Sequence, residues 1–285
     1  MQRRDEEGSD MEDQQRVPRV PVTLSSASVY PLTVHDAFAI AKDVGYDGLE
    51  VLVTGNQASQ SATALMALMD KYQLPIMAIH APTLLLTQQV WGSAWAKIER
   101  SVILAKAVGA SVVVAHPPFR WQGNYAEGFV EGVRRLTDST GMKIAVENMY
   151  PWRSRGRESS KMYLPHWNPV PEDYRHVTWD FSHAAIATMN SRQAFEDLGD
   201  RLTHVHLCDG LDNGKDEHLV PGLGTQPVVE SLNFLRDSQW DGVVAVEVST
   251  RKAKQAGQKE EWLGQTLEFA RQHLSINQDS ERVTK

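Results

Sequence analysis

The chain has 285 residues, 41% of them hydrophobic, and a formal net charge of -7. That length and apolar content are enough for one large core, while the acidic balance repels phosphate backbones and anionic bilayers and so argues against nucleic acid or membrane as a general partner. The one cysteine, Cys208, excludes an intramolecular disulfide and suits a reducing cytosol, and no apolar run reaches the length of a membrane span.

Residues 1–19 contain almost no apolar side chains and lack the apolar core of a signal peptide, so they are expected to form a disordered leader. Short runs rich in β-branched residues then alternate with helical patterns. The runs are VTLSS at 22–26, GLEVLV at 48–53, PIMAIH at 75–80, SVVVAH at 111–116, KIAVEN at 143–148, HVTWDF at 176–181, LTHVHL at 202–207 and GVVAVEV at 242–248. Eight strands with helices between them predict an α/β fold, a single (β/α)8 TIM barrel over 20–274. Ala41-Lys42-Asp43-Val44-Gly45 recurs as Ala105-Lys106-Ala107-Val108-Gly109, each glycine standing where a helix should be capped. The last helix is expected over 260–273 and a polar tail over 275–285. Two connections, 149–175 and 208–225, are long enough to carry substrate contacts or a lid.

Most of the runs end on a group able to bind a metal. Glu147, Asp180, His206 and Glu247 stand at or near the ends of strands five to eight, where a barrel would aim three carboxylates and one imidazole at a single point. That oxygen-rich set suits one divalent ion, Mn, Mg, Co or Zn. Each acid alone could merely cap a strand or pair with a base. Four in consecutive strands favour a centre. His183 follows Asp180 within the turn that starts a helix, and Asp216 and His218 sit together in the long loop before Pro221-Gly222-Leu223-Gly224, so they are candidates for a second metal centre or for substrate binding. His80 and His116 end strands three and four and could ligate metal, bind hydroxyls or simply satisfy a carbonyl. His204, two residues before His206, should face the same side and lie deeper. Arg153, Arg155 and Arg157 are candidates for binding a phosphate or acid group, although arginines in long loops are commonly just solvated. Trp91, Trp121, Trp152 and Trp167 could wall a sugar pocket or serve only in packing.

The ordered spine IHAP, VVAHPPF, IAVENM, TWDFSH, HVHLCDG and DEHLVPGLGTQP resembles the xylose-isomerase-like barrel superfamily over about Val22 to Phe269. That superfamily holds sugar and sugar-phosphate isomerases and epimerases together with the apurinic endonuclease IV family. The isomerase branch implies one divalent ion on Glu147, Asp180, His206 and Glu247. The two glutamates would exchange a proton with the substrate through a metal-stabilised enediolate, and His183 would bind a hydroxyl or oxyanion. The endonuclease branch implies up to three zinc ions on His80, His116, Glu147, Asp180, His183, His206, Asp216, His218 and Glu247. Against the latter stand the net charge, the Ala81-Pro82-Thr83-Leu84 continuation after His80, and a first strand without histidine. Ketohexose 3-epimerases carry an arginine six residues after the match to His206, where this chain has Asp212, and a glutamate six residues after the match to Glu147, where it has Arg153. A free-ketose 3-epimerase is thereby disfavoured against another isomerase, epimerase or dehydratase-like activity. The expected enzyme is a cytoplasmic sugar or sugar-phosphate isomerase or epimerase, as a monomer or homo-oligomer. The alternatives are a zinc phosphodiesterase acting on abasic DNA and a non-catalytic metal- or sugar-binding barrel.

Overall fold

A computed structural model describes residues 20–83, 89–154, 157–159 and 162–275, without the side chains of 153–161. The expected leader over 1–19 lies outside these residues, as does the tail from 276 onward. Eight parallel strands close into a barrel: β1 (Val22–Ser25), β2 (Gly48–Leu52), β3 (Ile76–His80), β4 (Val112–Ala115), β5 (Lys143–Glu147), β8 (His176–Asp180), β9 (Leu202–Leu207) and β10 (Val243–Val246). Their spatial order is β1-β10-β9-β8-β5-β4-β3-β2, which follows the chain around the ring. A small antiparallel hairpin, β6 (Trp152–Ser154) and β7 (Arg157–Ser159), fills part of the connection after β5.

The helices are α1 (Val34–Val44), α2 (Ala62–Tyr72), α3 (Ala94–Val108), α4 (Asn124–Glu127), α5 (Phe129–Thr140), α6 (Phe181–Ile186), α7 (Ser191–Leu198), α8 (Val228–Asp237) and α9 (Gln258–Leu274). Gly45 and Gly109 both cap their helices in the left-handed region, at φ 94 and 76, where a side chain would be strained. At its other end α1 begins with a reciprocal capping box between Thr33 and Asp36. Among the described residues, no helix is long and apolar enough to cross a membrane.

Strand periodicity divides the apolar residues into two layers. Outward-facing residues such as Ile79, Val113, Val146, Trp179, Val205 and Val246 join the main core between barrel and helices. The interior of the ring instead holds a small apolar group, Ala78, Val112, Val114 and Ala145, besides buried polar side chains that include Glu50, Thr178, His204 and His206. A barrel filled mainly by aliphatic side chains would be a packed plug. Here the small residues leave the axis to charged groups, which must then satisfy one another.

The long connection after β9 is folded back by a buried carboxylate. Asp209 Oδ1 accepts from the N–H groups of Gly210 (2.9 Å) and Gln226 (3.2 Å), and Oδ2 accepts from those of Gly222 (2.9 Å) and Gly224 (3.0 Å). Asp209 and Leu219 also exchange both backbone hydrogen bonds at 2.8 Å, which returns Asp216 and His218 to the barrel mouth. A Cβ on Gly224 would lie 2.3 Å from Asp209 Oδ1, so the close approach requires glycine there. Asp209→Ala leaves four N–H groups without this acceptor and is expected to lower stability by roughly 2–4 kcal/mol. A fall in the urea midpoint measures it; an unchanged midpoint would contradict this account of the loop.

Candidate metal centre

Glu147, the last residue of β5, is the hub of the mouth. Its Oε1 lies 3.2 Å from both His206 Nδ1 and His183 Nδ1, and its Oε2 lies 2.9 Å from His116 Nε2 and 3.3 Å from His80 Nε2. Parallel register explains part of the gathering, since Asp180 pairs with His206 across β8 and β9. Glu247, one residue beyond β10, brings Oε2 to 3.0 Å from His206 Nδ1. Asp180 Oδ2 stands 3.6 Å from the same nitrogen.

Among the described residues, five sets of donor atoms each lie within 4.8 Å of one another: Glu50, His204 and His206; Asp180, Cys208 and His218; and, at the mouth, His80, His116 and Glu147; Glu147, Asp180 and His206; and His183, Asp216 and His218. In the His183, Asp216 and His218 set, Asp216 Oδ2 is 3.3 Å from His183 Nε2, while its Oδ1 is 3.0 Å from His218 Nε2. The histidines are anchored from behind. Nδ1 of His80 is 2.9 Å from the Ala81 carbonyl, Nδ1 of His183 is 2.9 Å from that of Asn148, and Nδ1 of His218 is 2.8 Å from that of Glu247. With Nδ1 donating there, the Nε2 lone pair of each faces an acid, Glu147 for His80 and Asp216 for His183 and His218, which is the usual arrangement of a metal-ligating imidazole. Moreover, Glu147 Oε2 and Glu247 Oε2 have no aligned hydrogen bond despite their short distances to ring nitrogens. Atoms crowded this closely without a proton in line between them are aimed at common points, so the donor set fits a bound cation.

The backbone supports the same convergence. Asn148 spans β5 and β8, its Oδ1 accepting from the Asp180 N–H at 2.6 Å and its Nδ2 donating to the Asp180 carbonyl at 3.0 Å. Asp180 Oδ1 then caps α6 by accepting from the His183 N–H at 2.7 Å. His218 is held at φ 44, an uncommon region for a non-glycine residue, with its N–H donating to Ser182 Oγ at 3.2 Å.

Without a cation these acids are balanced by protons. Burial alone would depress His183, His206 and His218, but surrounding carboxylates outweigh it and hold all three well above the ordinary imidazole value. Burial would raise Glu147 and Asp216, yet the facing histidines hold both well below the usual carboxylate range. His116 is pushed down by burial, only partly offset by Glu147. The raised histidines contribute stability that is complete below their unfolded value, about pH 6.5, and lost as pH rises through their folded values. The melting temperature of chelator-treated protein is therefore expected to fall from neutral to alkaline pH, while protection by added zinc grows because fewer protons compete. A pH-independent melting temperature would contradict this charge balance.

The structure brings together all nine candidate ligands named from sequence. Of the candidate acid-binding arginines, Arg155 lies outside the described residues, and only the backbone of Arg153 and Arg157 is described, in β6 and β7. The tryptophans divide. Trp91 packs on the main core and Trp167 joins the Phe119, Met149 and Tyr163 cluster, whereas Trp121 and Trp152 are exposed. Trp121 stacks on Phe119 with centroids 4.4 Å apart, and Trp152 meets Phe119 edge-on at 5.8 Å. Tyr150, Pro151, Trp152, Ile186 and Gly214 line a cavity of about 190 Å³, reached from the centre through Tyr150, whose ring is 5.1 Å from that of His183. A larger cavity of about 500 Å³, lined by Asn190, Arg192, Gln193, Glu196, Pro227 and Glu230, includes none of the nine ligands.

Sequence reasoning missed Glu50, Asn148, Ser182 and Asp209, all of which are buried. The available signal was an acid in the middle of the apolar run at 48–53, an unusual place for an unpaired charge. Asn148 and Ser182 stand inside motifs whose neighbouring residues, Glu147, Asp180 and His183, carry the recognisable ligand chemistry.

The model of the xylose isomerase-like TIM barrel family matches residues 38–273. A relative from Mycobacterium tuberculosis, described as an uncharacterized protein, is 42% identical over 276 residues, spanning 90% of this chain and 99% of its own. Fructoselysine 3-epimerase of Shigella flexneri is 25% identical over 240 residues, 77% of this chain and 86% of that one. Among solved structures, D-psicose 3-epimerase with D-tagatose from Clostridium cellulolyticum H10 has a TM-score of 0.65 at 16% identity, covering 90% of this chain and 100% of that one, a likeness of fold alone. With most of its length matched by the family model and a full-length relative at 42% identity, the chain belongs to the xylose isomerase-like TIM barrel family.

Proposed function

We propose that this protein is a cytoplasmic, divalent-metal-dependent isomerase or epimerase of a sugar or sugar derivative. The observation that carries the reading is the approach of Glu147 and Glu247 to the same nitrogen, His206 Nδ1, at 3.2 and 3.0 Å. Glu147, Asp180, His206 and Glu247 would hold the ion. When bound, it would polarise a carbonyl and the neighbouring hydroxyl and so acidify the C–H bond between them.

Glu247 would take that proton, the C–H electron pair passing into the carbonyl system, and a carboxyl group on the other flank, protonated in turn by a charged histidine beside it, would return a proton to carbon as the electron pair goes back to that C–H bond. Glu147 is the candidate for the return. Both of its oxygens are shared among four histidines, so Glu247 is the freer of the two carriers. His183 and Tyr150 would bind substrate oxygens beside the cavity, whose exposed Trp152 would meet the apolar face of a sugar. Arg153, Arg155 and Arg157 would add binding for a phosphate or acid group. The fructoselysine 3-epimerase relative makes a ketose carrying an amino-acid substituent a substrate to test beside sugar phosphates.

A second reading, a zinc phosphodiesterase, is favoured by one specific observation, the two further donor sets around His80 and His116 and around His183, Asp216 and His218. Elemental analysis of protein purified without chelator or histidine tag separates the readings. About one Mn, Mg, Co or Zn per chain is expected for the isomerase, whereas about three zincs would favour the phosphodiesterase. A metal-free preparation that also takes up none on addition would sink both.

A further inference from the structure

Among the histidines of the mouth, His206 is anchored differently. His80, His183 and His218 each have Nδ1 beside a backbone carbonyl and Nε2 toward an acid, His183 Nδ1 also lying 3.2 Å from Glu147 Oε1. His206 is reversed, with Nδ1 toward Glu147, Asp180 and Glu247, and Nε2 pointing down the barrel axis. There the main-chain carbonyls of β9 and its neighbours serve the strand ladder, so an anchor has to come from a side chain. Glu50 supplies it from β2, across the ring, with Oε1 at 3.2 Å and Oε2 at 3.3 Å from His206 Nε2.

We infer that Glu50 is a positioning residue for the centre, accepting the Nε2 proton of His206 so that its Nδ1 lone pair is presented to the ion. The inference rests on the metal-dependent reading proposed above. Glu50 is fully buried and is matched from below by His204, whose Nε2 lies 3.2 Å from Glu50 Oε2. A carboxylate behind a ligating imidazole fixes its tautomer and ring angle and strengthens its donation, and loss of such a partner commonly weakens metal binding about 10–100-fold. Glu50, His204 and His206 are also close enough to form a donor trio of their own, which the test must distinguish.

The test is a Co(II) titration of metal-free wild type and Glu50→Gln, followed by visible absorption. Both are expected to develop bands of the same shape, because the ligands are unchanged, with binding to Glu50→Gln weaker by about 10–100-fold. A purely structural Glu50 would lower the melting temperature and leave the affinity of the folded protein alone, which would overturn the inference. Loss of one whole equivalent of Co(II) from the variant, with the remainder bound as in wild type, would also overturn it by making Glu50 a ligand. Should Glu50→Gln fail to fold, nitrogen NMR of zinc-loaded wild type decides: His206 must carry its proton on Nε2 and its metal on Nδ1, and the opposite assignment refutes the inference. Wild type that binds no Co(II) would refute the metal reading itself, whereas normal wild-type binding with equal affinity in the variant refutes only the role of Glu50.

Discussion

Glu147→Gln is expected to lose divalent-metal binding by at least about 100-fold and to melt well below wild type even in chelator, because two separate contributions depend on one carboxylate. It is the common neighbour of His80, His116, His183 and His206, within 3.3 Å of each. Glutamine keeps the shape but removes the charge and presents an amide N–H₂ to ring nitrogens. In the metal-free protein, His183 and His206 would then lose one of the buried carboxylates that keep them charged, beside Asp180 for the first and Glu247 for the second, and breaking such a pair costs on the order of 3–5 kcal/mol. Calorimetric titration with zinc and thermal unfolding in chelator read the two contributions separately. Retention of wild-type zinc affinity would show that Glu147 is not the hub described here.

Glu247→Gln is expected to do the reverse, keeping the metal and losing the reaction. Glu247 approaches His206 from beyond the end of β10 and keeps 15% of its side chain exposed, while Glu147 is sealed at 2%. It is therefore one ligand among several and the carboxylate with better access to a substrate. Removal of a general base commonly lowers turnover about 10²–10⁴-fold. The expected result is a fall of that size in kcat at saturating metal, with bound ion close to wild type. A variant that turns over normally would remove Glu247 from proton transfer.

The contrast between these residues also shows what could be read from the chain. The eight runs were legible because a parallel barrel covered by helices demands apolar segments at regular spacing, and the ligands were legible because they close those segments. Gly45 and Gly109 could be placed as caps from a repeated pentapeptide, and both adopt the left-handed conformation. Grouping was harder. Sequence gives the order of ligands around the ring, but whether Asp216 and His218 reach His183 depends on the fold of the 208–225 connection, which Asp209 sets through contacts thirteen to seventeen residues away. Glu50 was hidden for a related reason. Its partners are His204 and His206, more than 150 positions later and across the ring, so nothing near it marks the pairing. Asn148 shows the local version of the problem, because its role is a cross-strand clamp on Asp180 that no spacing reveals.

The proposed reaction makes and breaks a C–H bond next to a carbonyl, and that event can be watched without knowing the product. Metal-loaded protein should be incubated in deuterium oxide with ketoses, aldoses, their phosphates and amino-substituted ketoses, and deuterium incorporation at carbon followed by NMR or mass spectrometry. The account predicts incorporation into at least one of these substrates, abolished by chelator and in Glu247→Gln. No incorporation into any of them, together with zinc-dependent cleavage of abasic DNA, would contradict it and establish the phosphodiesterase reading in its place.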